Sequence, residues 1–418
     1  MLMKEIKPSN VNGIVRIPAS KSIVQRAIAA AMLSNGTSVI HNPSTCDDCL
    51  AALNIAKQMG ATVTEELNRW TISGNFRPSN NELSCGEAGL GIRMFTPIAA
   101  TLNVRQTLSG HGSLTTRPMT GLEDAINQLG ASCSTSNGFL PVTVQGPMVG
   151  GNATVDGSLS SQILTGLLMA APLAQKEVNI KVKNLKSVPY IDMTIEIMKQ
   201  FGININNNGY EEFFIASNQP YKATEIKSEG DWSGAAFFLV AGVISGNLRV
   251  ENISSKSQQA DKEIVSAIQQ ANGKILEENG CYTVEKSQLK AFSFDATNCP
   301  DLFPPLAVLA AACKGTSLIK GVNRLKHKES NRAYAIQKEF EKAGIRVEIE
   351  GNEMYITGGK PKGCEMDSHN DHRMAMAAAT LALIAASPIQ INNPECVTKS
   401  YPEFWMHLEN IQSENHKI

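Results

Sequence analysis

Basic side chains stand in this sequence where helices least welcome them. Lys21 and Arg26 lie in Ser20-Lys-Ser-Ile-Val-Gln-Arg26, Arg93 closes Gly86-Glu-Ala-Gly-Leu-Gly-Ile-Arg93, and Arg373 ends Asn370-Asp-His-Arg373. Each stretch is polar and then runs into an Ala- and Leu-rich segment, the pattern of a helix start. Three further starts have the same form: Asp156-Gly-Ser-Leu-Ser-Ser-Gln162, Gly230-Asp-Trp-Ser-Gly and Cys299-Pro-Asp301. The N-terminus of a helix offers unpaired N–H groups and the positive end of a dipole, so it attracts anions and repels cations. Ser, Asp and Asn are ordinary caps at such places, which is one reading of Asp231 and Ser233. Capping does not account for Lys21, Arg26, Arg93 and Arg373. A cation there suggests an anion shared between the side chain and the backbone N–H groups. More basic residues fall in loops: Arg117 in Thr116-Arg-Pro118, Lys328 and Arg332 in Lys326-His-Lys-Glu-Ser-Asn-Arg332, and Lys399 in Val397-Thr-Lys-Ser-Tyr401. Singly, each reads as a solvated surface charge. Together, at equivalent ends of a repeat, they read as a receptor for a multiply charged small molecule.

The repeat is the element that must position them. Helix-like segments stop at Gly60, Gly130, Gly202, Gly273 and Gly344, with spacings of 70, 72, 71 and 71 residues. Glycine at such a stop is expected in the left-handed conformation. Each stop leads into a β-branched hairpin, such as Ile345-Arg-Val-Glu-Ile, a turn at Gly351-Asn352 and Met354-Tyr-Ile-Thr. A second helix, apolar nearly all round and therefore buried, begins near Lys21-Ser22, Gly89, Ser160-Ser161, Ser233, Asp301 and Asp371. Six copies of about 70 residues account for the 418, the last without its Gly stop. Two helices and about four strands per copy make an α+β unit of ferredoxin-like size. Six units divide into two similar domains of three: residues 19–229, and residues 230–418 together with 1–18.

Composition is consistent with a globular chain of this size. Apolar residues make up 42% and charged residues 18%, and the net charge of −1 favours neither nucleic acid nor a membrane surface. An anionic ligand must be held by local clustering. The start carries no signal-peptide core, and the longest apolar run, near Ala375–Ala386, is too short to span a bilayer. Nine cysteines without framework spacing point to reduced thiols in a cytoplasm. Cys46 and Cys49 form a lone CxxC with no second pair, so no metal is expected there. His111, His327, His369 and His372 lack ligand spacing, and Trp70, Trp232 and Trp405 read as core or interdomain packing.

Ordered along nearly the whole chain are Pro18-Ala-Ser-Lys-Ser-Ile-Val-Gln-Arg26, Ala88-Gly-Leu-Gly-Ile-Arg93, Arg117-Pro-Met, Asp156-Gly-Ser-Leu-Ser-Ser-Gln162, Ser187-Val-Pro-Tyr-Ile-Asp, Pro300-Asp301, Lys328-Glu-Ser-Asn-Arg332, Asn370-Asp-His-Arg-Met-Ala-Met376 and Lys399. In this combination the sequence resembles the 5-enolpyruvylshikimate-3-phosphate synthases. The resemblance implies the enolpyruvyl transferase fold, an inside-out α/β barrel of two domains with buried helices and outer sheets, closing on its ligands. It implies transfer of the enolpyruvyl group of phosphoenolpyruvate (PEP) to the 5-hydroxyl of shikimate 3-phosphate, by a monomeric enzyme that uses no cofactor and no metal. Carried over by position, Lys21, Ser22, Arg26, Ser160, Ser161, Gln162, Ser187, Asp301 and Lys328 would hold shikimate 3-phosphate. Lys21, Gly89, Arg117, Gln162, Arg332, Arg373 and Lys399 would hold PEP. Asp301, Glu329 and Lys21 would be catalytic. The chain departs from the pattern at Glu87, where the family commonly has Asn, and at Leu90, where Thr is common. Ala88 and Gly89 match the small residues of members sensitive to glyphosate, a PEP mimic.

The implied chemistry needs an acid and a base. Protonating C3 of PEP makes C2 cationic in character, and the 5-hydroxyl must lose its proton to attack C2. Expulsion of phosphate from the adduct then reverses the proton transfer at C3. Glu329 is the candidate acid and Asp301 the candidate base, with Lys21 placed to share either step. The two substrates repel each other, so a dense basic cluster is required. A related transferase acts on UDP-N-acetylglucosamine, but typically has Lys-Asn near its start and a loop cysteine. This chain has Lys21-Ser22, and Gly110-His-Gly-Ser-Leu-Thr-Thr-Arg117 lacks cysteine. A non-catalytic relative that binds the same ligands is the alternative from another class.

Overall fold

A computed structural model describes residues 2–78 and 80–412. The chain divides into two compact units, Ala19–Ser228 and Met1–Pro18 with Glu229–Ile418. Among the described residues it forms twelve α-helices. In chain order these are α1 (Lys21–Leu33), α2 (Asp47–Gln58), α3 (Gly89–Ala99), α4 (Leu122–Gln128), α5 (Gln162–Ala170), α6 (Val188–Gln200), α7 (Trp232–Ser245), α8 (Ile264–Gln270), α9 (Phe303–Ala311), α10 (Arg332–Lys342), α11 (His372–Ala382) and α12 (Phe404–Ile411).

The odd-numbered helices are the buried ones. Every residue of α3, α9 and α11 is buried, as is every residue of α7 except Ser233. Such helices lack a polar face because each is enclosed on all sides. Each large side chain in them, such as Phe237, Phe238 and Leu239 of α7, contributes about 1.5–3 kcal/mol by leaving water. The even-numbered helices carry a stripe instead. In α2 the buried set is Asp48, Cys49, Ala52, Leu53, Ile55 and Ala56, the spacing of one helical face.

Six open sheets complete the units, five of four strands and one of three among the described residues. Each four-stranded sheet repeats one scheme. Glu82–Ser84 pairs in parallel with Arg105–Ser109, which pairs antiparallel with Phe139–Gln145, itself the hairpin partner of Ser132–Ser136. Strands alternate buried and exposed residues, so one face meets the helices and the other meets solvent. The chain's first strands close the second unit. Asn12–Arg16 pairs in parallel with Asn247–Glu251. Met3–Ile6 pairs antiparallel with Ile389–Asn392 and takes the place of the hairpin that the sixth repeat lacks.

The helix stops at Gly60, Gly130, Gly202 and Gly344 are left-handed, with φ between +78° and +104°. The fourth repeat differs. There Asn272 takes the left-handed position at φ +65°. Asparagine tolerates that conformation better than other residues with a Cβ. Gly273 is needed for space instead, since a Cβ on it would lie 2.6 Å from the Ile268 side chain. No helix among the described residues is long and apolar enough to cross a membrane.

Candidate active site

In the Ala19–Ser228 unit, α3 and α5 are joined at their starts by one guanidinium. Arg93 donates from Nη1 to the Gly89 carbonyl at 3.0 Å and to Gln162 Oε1 at 3.2 Å, and from Nη2 to the Pro118 carbonyl at 2.8 Å. Gly89, Gln162 and the Arg117-Pro118 loop are thereby brought together. The sequence suggested that Arg93 shares an anion with the helix start. The structure gives it these three internal oxygen atoms as partners, so it also braces the two helix starts. Arg117 packs flat against Gly89: a Cβ on Gly89 would lie 2.4 Å from Arg117 Nη1. Glycine at 89 is therefore a matter of space for a cation.

Lys21, the first residue of α1, pairs through Nζ with Asp48 Oδ2 at 2.9 Å, and both side chains are largely buried. Asp48 carries no local signal of this role, because Asp47-Asp48 has the form of ordinary acidic residues opening a helix. Arg26 is buried on the next turn of α1. It donates to Thr194 Oγ1 (2.8 Å), the Ser22 carbonyl (2.8 Å), Thr165 Oγ1 and the Tyr190 carbonyl (both 3.4 Å). None of these partners is charged. Burial pushes the Arg26 guanidinium down to about 10, against a smaller opposing effect of Tyr190. A buried cation whose hydrogen-bond partners among the described residues are neutral suits an anionic ligand. Ser187, the N-cap of α6, is buried at φ +58°, a conformation serine adopts only when its surroundings hold it there. Ser160 Oγ accepts from the Gln162 N–H at 3.1 Å, and Ser161 is the buried N-cap residue of α5.

In the other unit, charge concentrates around Arg332 at the start of α10. Arg332 is wholly buried. Its Nη1 meets Asp301 Oδ1 at 2.7 Å, its Nη2 meets Glu329 Oε2 at 2.6 Å, and its Nε meets Asp371 Oδ2 at 2.8 Å. Asp301 also receives Lys328 Nζ at 3.2 Å and Arg373 Nη2 at 3.3 Å. Burial would raise the Asp301 carboxyl, but Arg373, Lys328 and Arg332 together hold it well below the usual carboxylate range. Lys328 is shifted down by burial, despite the attraction of Asp301. Arg332 is shifted up by Asp371, Glu329 and Asp301 against its burial. Arg332 acts here as the shared counter-ion of three carboxylates, with each of its nitrogen atoms engaged.

Asp371 explains how the chain builds this cluster. One oxygen caps α11 through the Arg373 N–H at 3.0 Å, and the other accepts from Arg332 Nε and from Ser330 Oγ at 3.0 Å. The cap and the clamp are one side chain. His372 Nε2 accepts from Arg373 Nη1 at 2.9 Å, since a guanidinium only donates, so the ring proton sits on Nδ1. Asp231 caps α7 through the Ser233 and Gly234 N–H groups. Ser233 Oγ donates to buried Asp261, whose carboxyl is pushed up to about 7 by burial and then by Asp301, against Arg373. Asp261 carried no signal in the sequence beyond being acidic. Lys399 is buried at the end of the 3₁₀ turn Pro394–Lys399.

Solved structures share this architecture. EPSP synthase from Acinetobacter baumannii superposes with a TM-score of 0.84 at 23% identity, over 98% of each chain. The enolpyruvyl transferase NikO from Streptomyces tendae does so at 0.78 and 16%, over 98% of this chain and 97% of that one. The fold is that of the enolpyruvyl transferases. Curated relatives named 3-phosphoshikimate 1-carboxyvinyltransferase include one from Clostridium kluyveri, 36% identical over 98% of this chain and 97% of its own. Another, from Methanocorpusculum labreanum, is 34% identical over 98% of both. The profile of the EPSP synthase (3-phosphoshikimate 1-carboxyvinyltransferase) family matches residues 6–408, and the chain belongs to that family.

Proposed function

We propose that the protein transfers the enolpyruvyl group of PEP to the 5-hydroxyl of shikimate 3-phosphate and releases phosphate. One observation carries the reading: Lys328, Arg332 and Arg373 all meet Asp301, with Glu329 on the same Arg332. Three cations suit phosphate and carboxylate groups, and two carboxylates suit one acid and one base. Family membership supports the same substrates.

Glu329 is the proposed acid for C3 of PEP, and Asp301 the proposed base for the hydroxyl. Asp301 is ionised in the ligand-free protein because three cations face it. Substrate anions that draw Lys328 and Arg373 away from it raise its proton affinity as they bind. Arg332 keeps both carboxylates in place, and we assign it to PEP through them. Arg26, Ser160, Ser161 and Ser187 are assigned to shikimate 3-phosphate with Ser22, and Gly89, Arg117 and Lys399 to PEP. Lys21 and Gln162 serve both substrates. The enzyme works in the cytoplasm as a monomer without a cofactor.

The test mixes both substrates with the protein and follows phosphate together with the mass of the enolpyruvyl product. Equimolar release is expected, and Glu329→Gln lowers kcat by about 10²–10⁴-fold. Binding of both ligands without phosphate release would establish a binding protein instead.

A further inference from the structure

Glu87 places a carboxylate two residues before Gly89, beside the arginine assigned to PEP. Left facing that subsite, it would repel an anionic substrate. The structure turns it aside. Its Oε2 accepts from the Ser113 N–H at 3.2 Å and from Ser113 Oγ at 3.0 Å. Its Oε1 lies 3.8 Å from His111 Nδ1. Gly112, between those two residues, has φ +56°, and a Cβ on it would sit 2.1 Å from Oε1, so only glycine leaves room for the carboxylate. The His111 N–H also donates to the Gly86 carbonyl at 2.9 Å. The segment leading into α3 and the loop after Ser109 are thus fastened together by backbone and side chain.

The fastened loop leads to Arg117. Gly112 and Ser113 open the 3₁₀ turn Gly112–Thr116, and Arg117 is the residue that caps it, its N–H bonded to the Leu114 carbonyl. Arg117 then folds back over Gly89. Glu87 and Arg117 therefore sit at opposite ends of one short turn, and the Glu87 side chain is only 22% exposed.

We propose that Glu87 is a positioning residue for the PEP subsite: its carboxylate clasps Gly112-Ser113 and so fixes the guanidinium of Arg117 over Gly89. Glu87 itself does not touch substrate. An Asn at this position would be one methylene shorter and would offer one acceptor oxygen instead of two. The inference rests on the assignment of Arg117 to PEP given above.

Two measurements separate the clasp from that assignment. The first is hydrogen exchange over residues 111–117 in the ligand-free protein, which requires no turnover. Glu87→Ala is expected to speed exchange of the Ser113 amide by about 5- to 20-fold, the loss of one charge-assisted hydrogen bond at a part-exposed site. Glu87→Gln, which keeps an acceptor oxygen, falls between. The second is steady-state kinetics. Glu87→Ala should raise KM for PEP by about 5- to 20-fold and leave kcat and KM for shikimate 3-phosphate within about twofold, with Glu87→Gln again between. Unchanged exchange overturns the clasp, whether or not the wild type turns over. Faster exchange with an unchanged KM for PEP, or an equal rise in both KM values, overturns the positioning role. A wild type that binds but does not turn over sinks the proposed reaction alone. The affinity of each variant for PEP then takes the place of KM.

Discussion

Replacing Gly89 by Ala tests the PEP assignment at one atom. The added methyl would lie 2.4 Å from Arg117 Nη1 and 2.7 Å from both Cζ and Nη2. Ordinary contact between such atoms is about 3.5 Å, so the guanidinium must withdraw by about 1 Å. The obstructing atoms are the far end of a flexible side chain. The helix therefore keeps its place, and the strain is relieved by moving the cation. A charge-assisted hydrogen bond displaced by that much loses about 1–2 kcal/mol, which is about a 5- to 30-fold change in an equilibrium constant. KM for PEP should rise by that factor in initial-rate assays, while KM for shikimate 3-phosphate stays within about twofold. Thermal unfolding should move by no more than about 3 °C. A variant with unchanged KM for PEP, or one that loses both substrates equally, would refute the reasoning that Arg117 on Gly89 is the receptor.

Arg332→Met removes the cation common to Asp301, Glu329 and Asp371, and leaves buried carboxylates short of a counter-ion. Such a break costs about 3–5 kcal/mol, so denaturant unfolding should show a loss of that size, and an unchanged midpoint would contradict the buried cluster. Asp261 has a folded-state value raised to about 7. Its contribution to stability is complete below the unfolded carboxyl value of about 4 and disappears as pH rises through about 7. Asp261→Asn should flatten that part of the stability–pH curve, measured by urea midpoints from pH 4 to 8; parallel curves would mean that Asp261 ionises normally.

The repeat was legible because a helix stop needs a residue that tolerates positive φ, and glycine marks it in the letters of the chain. Gly60, Gly130, Gly202 and Gly344 behave in this way. At Gly273 the same letter serves close packing and Asn272 makes the stop. Local sequence cannot separate the two uses of glycine, because one is a torsion and the other a distance to Ile268. Helix starts were legible for a similar reason, since polar caps and apolar interiors alternate along the chain. Partnerships were not. Arg332 meets Asp301 from 31 positions away and Asp371 from 39, and Lys21 meets Asp48 from 27. Nothing local distinguishes a lysine or arginine awaiting an anion from one already paired within the fold. Arg93 shows the consequence: nothing in its local sequence announces that it ties Gly89, Gln162 and Pro118 together.

The two short strands at the beginning of the chain set a timetable for synthesis. Asn12–Arg16 finds its partner only at Asn247–Glu251, and Met3–Ile6 only at Ile389–Asn392. Translation at about 5–20 residues per second leaves the first of these exposed for on the order of ten to fifty seconds. Residues 19–228 emerge in one uninterrupted stretch and can mature on the ribosome, while the opening segment waits as an unsatisfied edge until residues 389–392 have been made.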